Sequence, residues 1–230
     1  MRHPFAIAIF ALAGAVAHAA ELTDTEMRWL RAGWPVVIYA KENKLPLDIV
    51  VQPRAKPGDA PLAMGYVNKR CKLVLAMRGN PEAEATLADI DPAVLGPVVE
   101  AMFAHELAHC WRYVRGAWHT LPAGFVDTGD DPAANGQEFT RLHRDMRETR
   151  REEGFADLVG LAWTLERHPQ QYGPVHAWFT RVREDQPLPG AHHDTRAWLR
   201  LAADRAAFGA DDNPFERVWT MWRAGLLQPD

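Results

Sequence analysis

His105-Glu106-Leu107-Ala108-His109 is the stretch on which the reading of this chain turns. It follows Met102-Phe103-Ala104 and precedes Cys110-Trp111, and nothing between 102 and 111 is Pro or Gly. The segment therefore reads as the middle of a helix over residues 92 to about 114. Asp91-Pro92 supplies an N-cap followed by proline at the first helical position. On a helix, residues four apart share one face, so both imidazoles can reach a single metal ion. Glu106, one residue round, faces the open side of that ion. Two histidines and a glutamate at this spacing predict zinc-assisted hydrolysis: zinc lowers the pKa of a bound water to about 7, and the glutamate takes the proton as the water attacks. Leu107, Ala108 and Cys110 are apolar, which predicts a buried helix. The alternative is a core helix whose histidines only hydrogen-bond.

A third ligand is needed, and the residues beyond His109 narrow its source. A metzincin would carry Gly at 112 and His at 115, whereas both positions are arginine, Arg112 and Arg115. Further on lies Arg151-Glu152-Glu153-Gly154-Phe155-Ala156-Asp157, an E-x-x-A-D segment. It opens a helical pattern through Leu158, Val159, Leu161, Ala162 and Leu165.

In these two segments the chain resembles the gluzincins, the thermolysin-like and CAAX-prenyl-protease-like zinc peptidases. The resemblance implies that His105, His109 and Glu153 bind Zn2+ and that Glu106 is the general base. It also implies that Asp157, one turn past Glu153, orients a zinc histidine, since a ligating imidazole needs its other nitrogen held. In another register Glu152 or Glu148 would be the ligand, and Arg-Arg-Glu-Glu could also be a solvated charge cluster. For the donor that such a site needs opposite a developing oxyanion, His192 and His193 are the candidates. Pro187, Pro189 and Gly190 bring them out of a loop, and Asp194 or Thr195 can cap the next helix. The alternative for the pair is a surface cap, and Tyr113 and His119 are other donors to consider.

Upstream, residues 72–77 (Lys-Leu-Val-Leu-Ala-Met) read as an edge strand beside the metal helix, able to pair with an extended peptide. An ordinary sheet strand is the competing reading. A first helix is expected over Asp24–Glu42 with Thr23 and Glu26 as a capping box, then a strand near residues 47–52 and a Pro/Gly loop over 53–61. Residues 116–136 read as a surface loop. Arg141, Arg144, Arg147 and Arg151 recur at helical spacing as a solvated stripe, and the chain beyond Glu153 reads as helical to residue 227 with breaks near Pro169, residues 187–190 and Gly209. Trp163, Trp178, Trp198, Trp219 and Trp222 fall in apolar helical patterns, which predicts core packing.

The amino terminus has Met1-Arg2-His3, an apolar run over residues 5–16, and Ala17-His18-Ala19 as a cleavage site. Residues 1–19 are thus expected to be a signal peptide, with residues 20–230 forming one domain that is periplasmic or secreted. No other window approaches a membrane span. The formal net charge of −4 argues against a nucleic-acid partner, and a peptide or protein substrate is the expected one. In an oxidising compartment Cys71 and Cys110 are expected to form a disulfide, the alternative being a buried Cys110 packed as a small apolar residue. The fold class expected is α+β: a mainly helical zincin-like metallopeptidase domain with a small N-terminal β-sheet. A catalytically silent metal-binding or partner-binding protein is the second functional reading.

Overall fold

The computed structural model describes residues 21–116, 137–184 and 191–228. The proposed signal peptide, His119 and residues 187–190 lie outside these, as does all of the 116–136 segment except Gly116. The architecture is α+β, mostly helical with one three-stranded sheet.

Helix α1, Asp24–Glu42, begins where the sequence says it should. The Thr23 hydroxyl accepts from the Glu26 backbone N–H at 3.2 Å, and the Glu26 carboxylate accepts from Thr23 N–H at 2.8 Å. Trp29, Leu30, Val36 and Ala40 bury one face of it. Strand β1 is Leu47–Val51, β2 is Leu62–Val67 and β3 is Arg70–Leu75, in the order β1-β3-β2. The expected edge strand is therefore in the middle of the sheet: β3 runs parallel to β1 and antiparallel to β2. Asn68 and Lys69, with φ of 52° and 61°, turn β2 tightly into β3, as a two-residue hairpin loop requires. That turn claims Tyr66 and Val67 for β2, and the strand order leaves β2 at one edge and β1 at the other. Cys71, Leu73 and Leu75 alternate into the core.

After α2, Pro81–Ala88, capped by Asn80, comes the central helix α3, Leu95–Val114. It starts three residues later than Asp91-Pro92 would suggest. The Asp91 carboxylate and carbonyl instead accept from Ala93 N–H at 2.8 Å and Val94 N–H at 2.9 Å, closing a turn. Pro97 then falls in the first helical turn, where a missing N–H costs nothing.

Helix α4 spans Gln137–Arg167, so the arginine-rich residues before Glu153 belong to the same helix as Asp157. The chain continues through a 3₁₀ turn at Pro169–Gln171, then α5 (Tyr172–Glu184), α6 (Arg196–Ala202), a second 3₁₀ turn at Arg205–Ala207, α7 (Pro214–Arg217) and α8 (Trp219–Leu226). Helices α3 and α4 pack against each other at close range. A Cβ at Gly160 would lie 2.8 Å from the Ala101 carbonyl oxygen, so the crossing requires glycine. At Gly154 a Cβ would lie 2.4 Å from the Trp198 ring, so this glycine admits α6 against α4 next to Glu153.

Of the five tryptophans singled out, four are buried and Trp219 is partly buried against the core. The Cys71–Cys110 disulfide is present, with a Cα–Cα distance of 5.5 Å, and both cysteines are fully buried. It joins the middle strand to α3 at the residue after His109. Among the described residues no helix is long and apolar enough to cross a membrane.

Candidate metal centre

Two helices build the centre. Helix α3 contributes His105, Glu106 and His109, and α4 contributes Glu153 and Asp157 at the same level of the crossing. His105 Nε2 lies 3.2 Å from His109 Nε2, Glu153 Oε2 lies 3.3 Å from His105 Nε2, and Glu153 Oε1 lies 3.4 Å from His109 Nε2. Tetrahedral ligation with bonds of roughly 2.0–2.1 Å separates neighbouring ligand atoms by about 3.3–3.5 Å. Each separation is that of neighbouring ligand atoms on such a tetrahedron, with one Glu153 oxygen near each histidine, and all three residues of this triangle are buried. Two imidazoles and one carboxylate fit a borderline ion of the zinc type. The residues present thus fit a metal.

The other ring nitrogen of His105 is held. Its Nδ1 lies 2.8 Å from Asp157 Oδ1, and Asp157 is fully buried. This contact sets the tautomer that turns the Nε2 lone pair toward Glu153 and His109. Two further residues hold Asp157, and neither was legible as part of a site. Arg183 on α5 donates to both carboxylate oxygens, at 2.9 and 2.8 Å, and reaches Glu153 at 3.5 Å. The Thr195 hydroxyl donates to Asp157 Oδ2 at 2.5 Å. Thr195 does occupy the N-cap position of α6, yet its side chain makes no cap bond, and its hydroxyl is turned to Asp157. Asp194, the other expected cap, is paired with Arg196. In sequence Arg183 is one more basic residue in the last turn of a helix, and no local signal separates it from Arg181.

The electrostatics favour positive charge at the triangle. Burial works against a charge on His105, but the Glu153 and Asp157 carboxylates outweigh it and raise its pKa to about 10. Burial likewise opposes the Glu153 charge, and His105 and His109 overcome it and hold the carboxyl well below the usual carboxylate range. Asp157 is held low against its burial by Arg183 and His105. Glu106 goes the other way: burial pushes its carboxyl up. A carboxylate of raised basicity beside the open side of the triangle is suited to accept a proton.

Glu152, one alternative for the third ligand, is turned away from the two histidines and pairs with Arg112, further along α3. It receives Arg112 at 2.8 and 2.5 Å, and this buried guanidinium lies about 5 Å from the rings of Phe155 and Trp222. The pair fixes the rotation of α4 about its axis and with it the choice of Glu153. Among the described residues, Glu148 is not part of the metal-sized cluster.

A cleft of about 670 Å³ opens onto the triangle. Glu106, Tyr113 and His193 face it, and His193 Nε2 stands 3.7 Å from Glu153 Oε2. Burial lowers the His193 pKa. His192 is not among the cleft-lining residues. One wall is edge strand β2 with Leu62, Ala63 and Met64, and the other is α5 with Trp178, Phe179 and Val182. Trp178, expected in the core, thus serves both core and cleft. Tyr113 stacks on Tyr66 of β2 with ring centroids 5.1 Å apart, joining the edge strand to the metal helix.

No protein-family model, no curated protein and no solved structure matches this chain.

Proposed function

We propose that this chain is an exported zinc metallopeptidase on a zincin-like fold of the gluzincin type. The observation that carries the reading is the convergence of His105 Nε2, His109 Nε2 and the Glu153 carboxylate at separations of 3.2–3.4 Å beneath an open cleft, with Glu106 beside them. Bound at the triangle, zinc would supply Lewis acidity and an acidified water. Glu106 accepts the proton of the attacking water on its carboxylate and returns it to the leaving nitrogen. His193, at the rim, is placed to donate a hydrogen bond to the oxygen that gains charge. Asp157, held by Arg183 and Thr195, keeps the His105 ring in one orientation throughout. The free side of β2 offers backbone groups to an extended chain, and the apolar wall of Trp178, Phe179 and Val182 receives its side chains. The buried disulfide and the basic-apolar-small amino terminus support an oxidising, exported location.

The test is metal analysis of purified protein after zinc reconstitution, followed by digestion of a mixed fluorogenic peptide library. About one zinc per chain and peptide cleavage are expected, with Glu106→Gln keeping the zinc and losing at least about a hundredfold in rate. A protein that takes up no zinc, or cleavage that survives in Glu106→Gln, would overturn the assignment.

A further inference from the structure

Strand β2 is open on one side, and the hydrogen bonds on its other side say which of its residues face outward. The Ala76 N–H donates to the Pro61 carbonyl at 3.0 Å, so these two form a hydrogen-bonded pair at the start of the antiparallel β2–β3 ladder. Such pairs occur at every second residue, and the register continues them at Ala63 with Val74, Gly65 with Lys72 and Val67 with Arg70. Toward β1, Cys71 N–H donates to Pro46 and the Leu75 carbonyl accepts from Gln52 N–H, at 2.8 and 2.9 Å, which agrees with the same phase. Leu62, Met64 and Tyr66 therefore turn their backbone N–H and C=O groups away from the sheet. Leu62 and Met64 also line the cleft over the metal triangle. Two residues of strand span about 6.8 Å, the repeat of an extended chain laid alongside.

The cleft does not end at Leu62. A second cavity of about 970 Å³ lies between the 53–61 loop and the start of α2, with Arg54, Lys56, Asp59 and Asn80 in its wall. Ala60, Pro61, Glu82 and Thr86 line both cavities, so the two are arms of one groove. The second arm is built by ordered contacts. Asp59 accepts from Lys56 N–H and Gln52 Nε2, each at 2.8 Å, and Asn80 Nδ2 ties the Asp59 carbonyl to α2 at 2.9 Å. Small-molecule sites occupy about 300–1,000 Å³; each arm is near the top of that range and the joined groove exceeds it. An enzyme that trims chain ends needs its groove closed a residue or two beyond the metal, with a charge there to take the terminal ammonium or carboxylate. Here the groove runs on past Pro61. We infer that the site cuts internal bonds of an extended polypeptide, and that the arm along residues 53–61 binds the stretch of substrate several residues from the bond that is cut. The inference rests on the peptidase reading above. Pairing with Met64 and Leu62 uses main-chain groups, so substrate length contributes more to binding than the identity of the distant residues.

The test uses zinc-reconstituted mature protein and acetylated, amidated peptides of four, six and eight residues, made of alanine and serine around one phenylalanine. One series is lengthened before the phenylalanine and the other after it, and the same peptides are also made with free ends. Cleavage of an internal bond in the blocked peptides is expected, with kcat/KM rising at least about tenfold from four to eight residues in one of the two series. Glu106→Gln should bind the eight-residue peptide of that series at least about tenfold more tightly than the four-residue one. Ala60→Trp and Thr86→Trp each fill the junction of the arms at positions that are not buried, so both should fold, checked by melting curve and zinc content. In each, the advantage of eight residues over four should collapse toward one. Cleavage confined to peptides with a free end, rates indifferent to length, or a length advantage that survives both tryptophan variants would overturn the inference and leave the peptidase reading standing. Zinc-loaded protein that cuts no peptide of either series would overturn both.

Discussion

His105 Nδ1 and Asp157 Oδ1 lie 2.8 Å apart, although 52 residues separate them in the chain. This contact locks two helices in register and decides which nitrogen of His105 faces Glu153. Asp157→Asn keeps the shape of the side chain and removes the charge that Arg183 and His105 share. Zinc affinity, measured by competition with a chromophoric chelator, should fall about 10- to 100-fold.

Glu152 and Glu153 are neighbours with opposite duties, and substitution should separate them. Glu152→Ala leaves Arg112 buried without its carboxylate among Phe155, Trp219 and Trp222. Denaturant unfolding should show a loss of about 3–5 kcal/mol, since breaking a buried ion pair from one side strands the other charge. Zinc content after reconstitution should stay near one per chain. Glu153→Ala should show the reverse emphasis, with zinc lost.

The Cys71–Cys110 bridge closes a loop of 39 residues between the middle strand and the metal helix. Constraint of the unfolded chain over such a loop is worth about 4 kcal/mol in the chain-entropy account. The double variant Cys71→Ala/Cys110→Ala should lose stability of that order in urea unfolding. Because the bridge anchors α3 one residue past His109, zinc loaded into the variant by reconstitution should also exchange faster with a chelator.

Glu26 carries a pH prediction away from the metal centre. Its carboxylate is buried, accepts from Arg78 at 2.7 and 2.9 Å, and is held below its ordinary pKa chiefly by that guanidinium. A folded-state pKa lower than the unfolded one means the unfolded chain binds the proton more readily. The stability that Glu26 contributes is therefore fully present above about pH 4.5 and lost as pH falls below it. Glu26→Gln should be less stable at neutral pH, and its deficit should shrink on acidification. A gap between wild type and variant that is constant from pH 7 to about 3 would show that the charge is irrelevant.

The sequence by itself determined what short-range physics can determine. The capping box at Thr23 and Glu26 places the first helix because cap and donor are three residues apart. The H-E-x-x-H spacing puts His105, Glu106 and His109 on neighbouring positions of one helix face because a helix repeats every 3.6 residues. Glu153 and Asp157 share a face for the same reason. Cys71 and Cys110 were legible as a pair because the chain has two cysteines, each the other's candidate partner. Tertiary structure decided the rest. The middle place of β3 depends on which strands meet across the sheet, a long-range matter that its own alternation does not encode. The choice of Glu153 over Glu152 depends on the rotation of α4, which the aromatic cage around Arg112 sets from another part of the chain. Arg183 and Thr195 reach Asp157 from α5 and the start of α6, across 26 and 38 residues, and nothing near either one in sequence marks it for that task. A cluster that could hold a metal ion needs charges brought together from several elements in a buried place, and only the packing of those elements can bring them there.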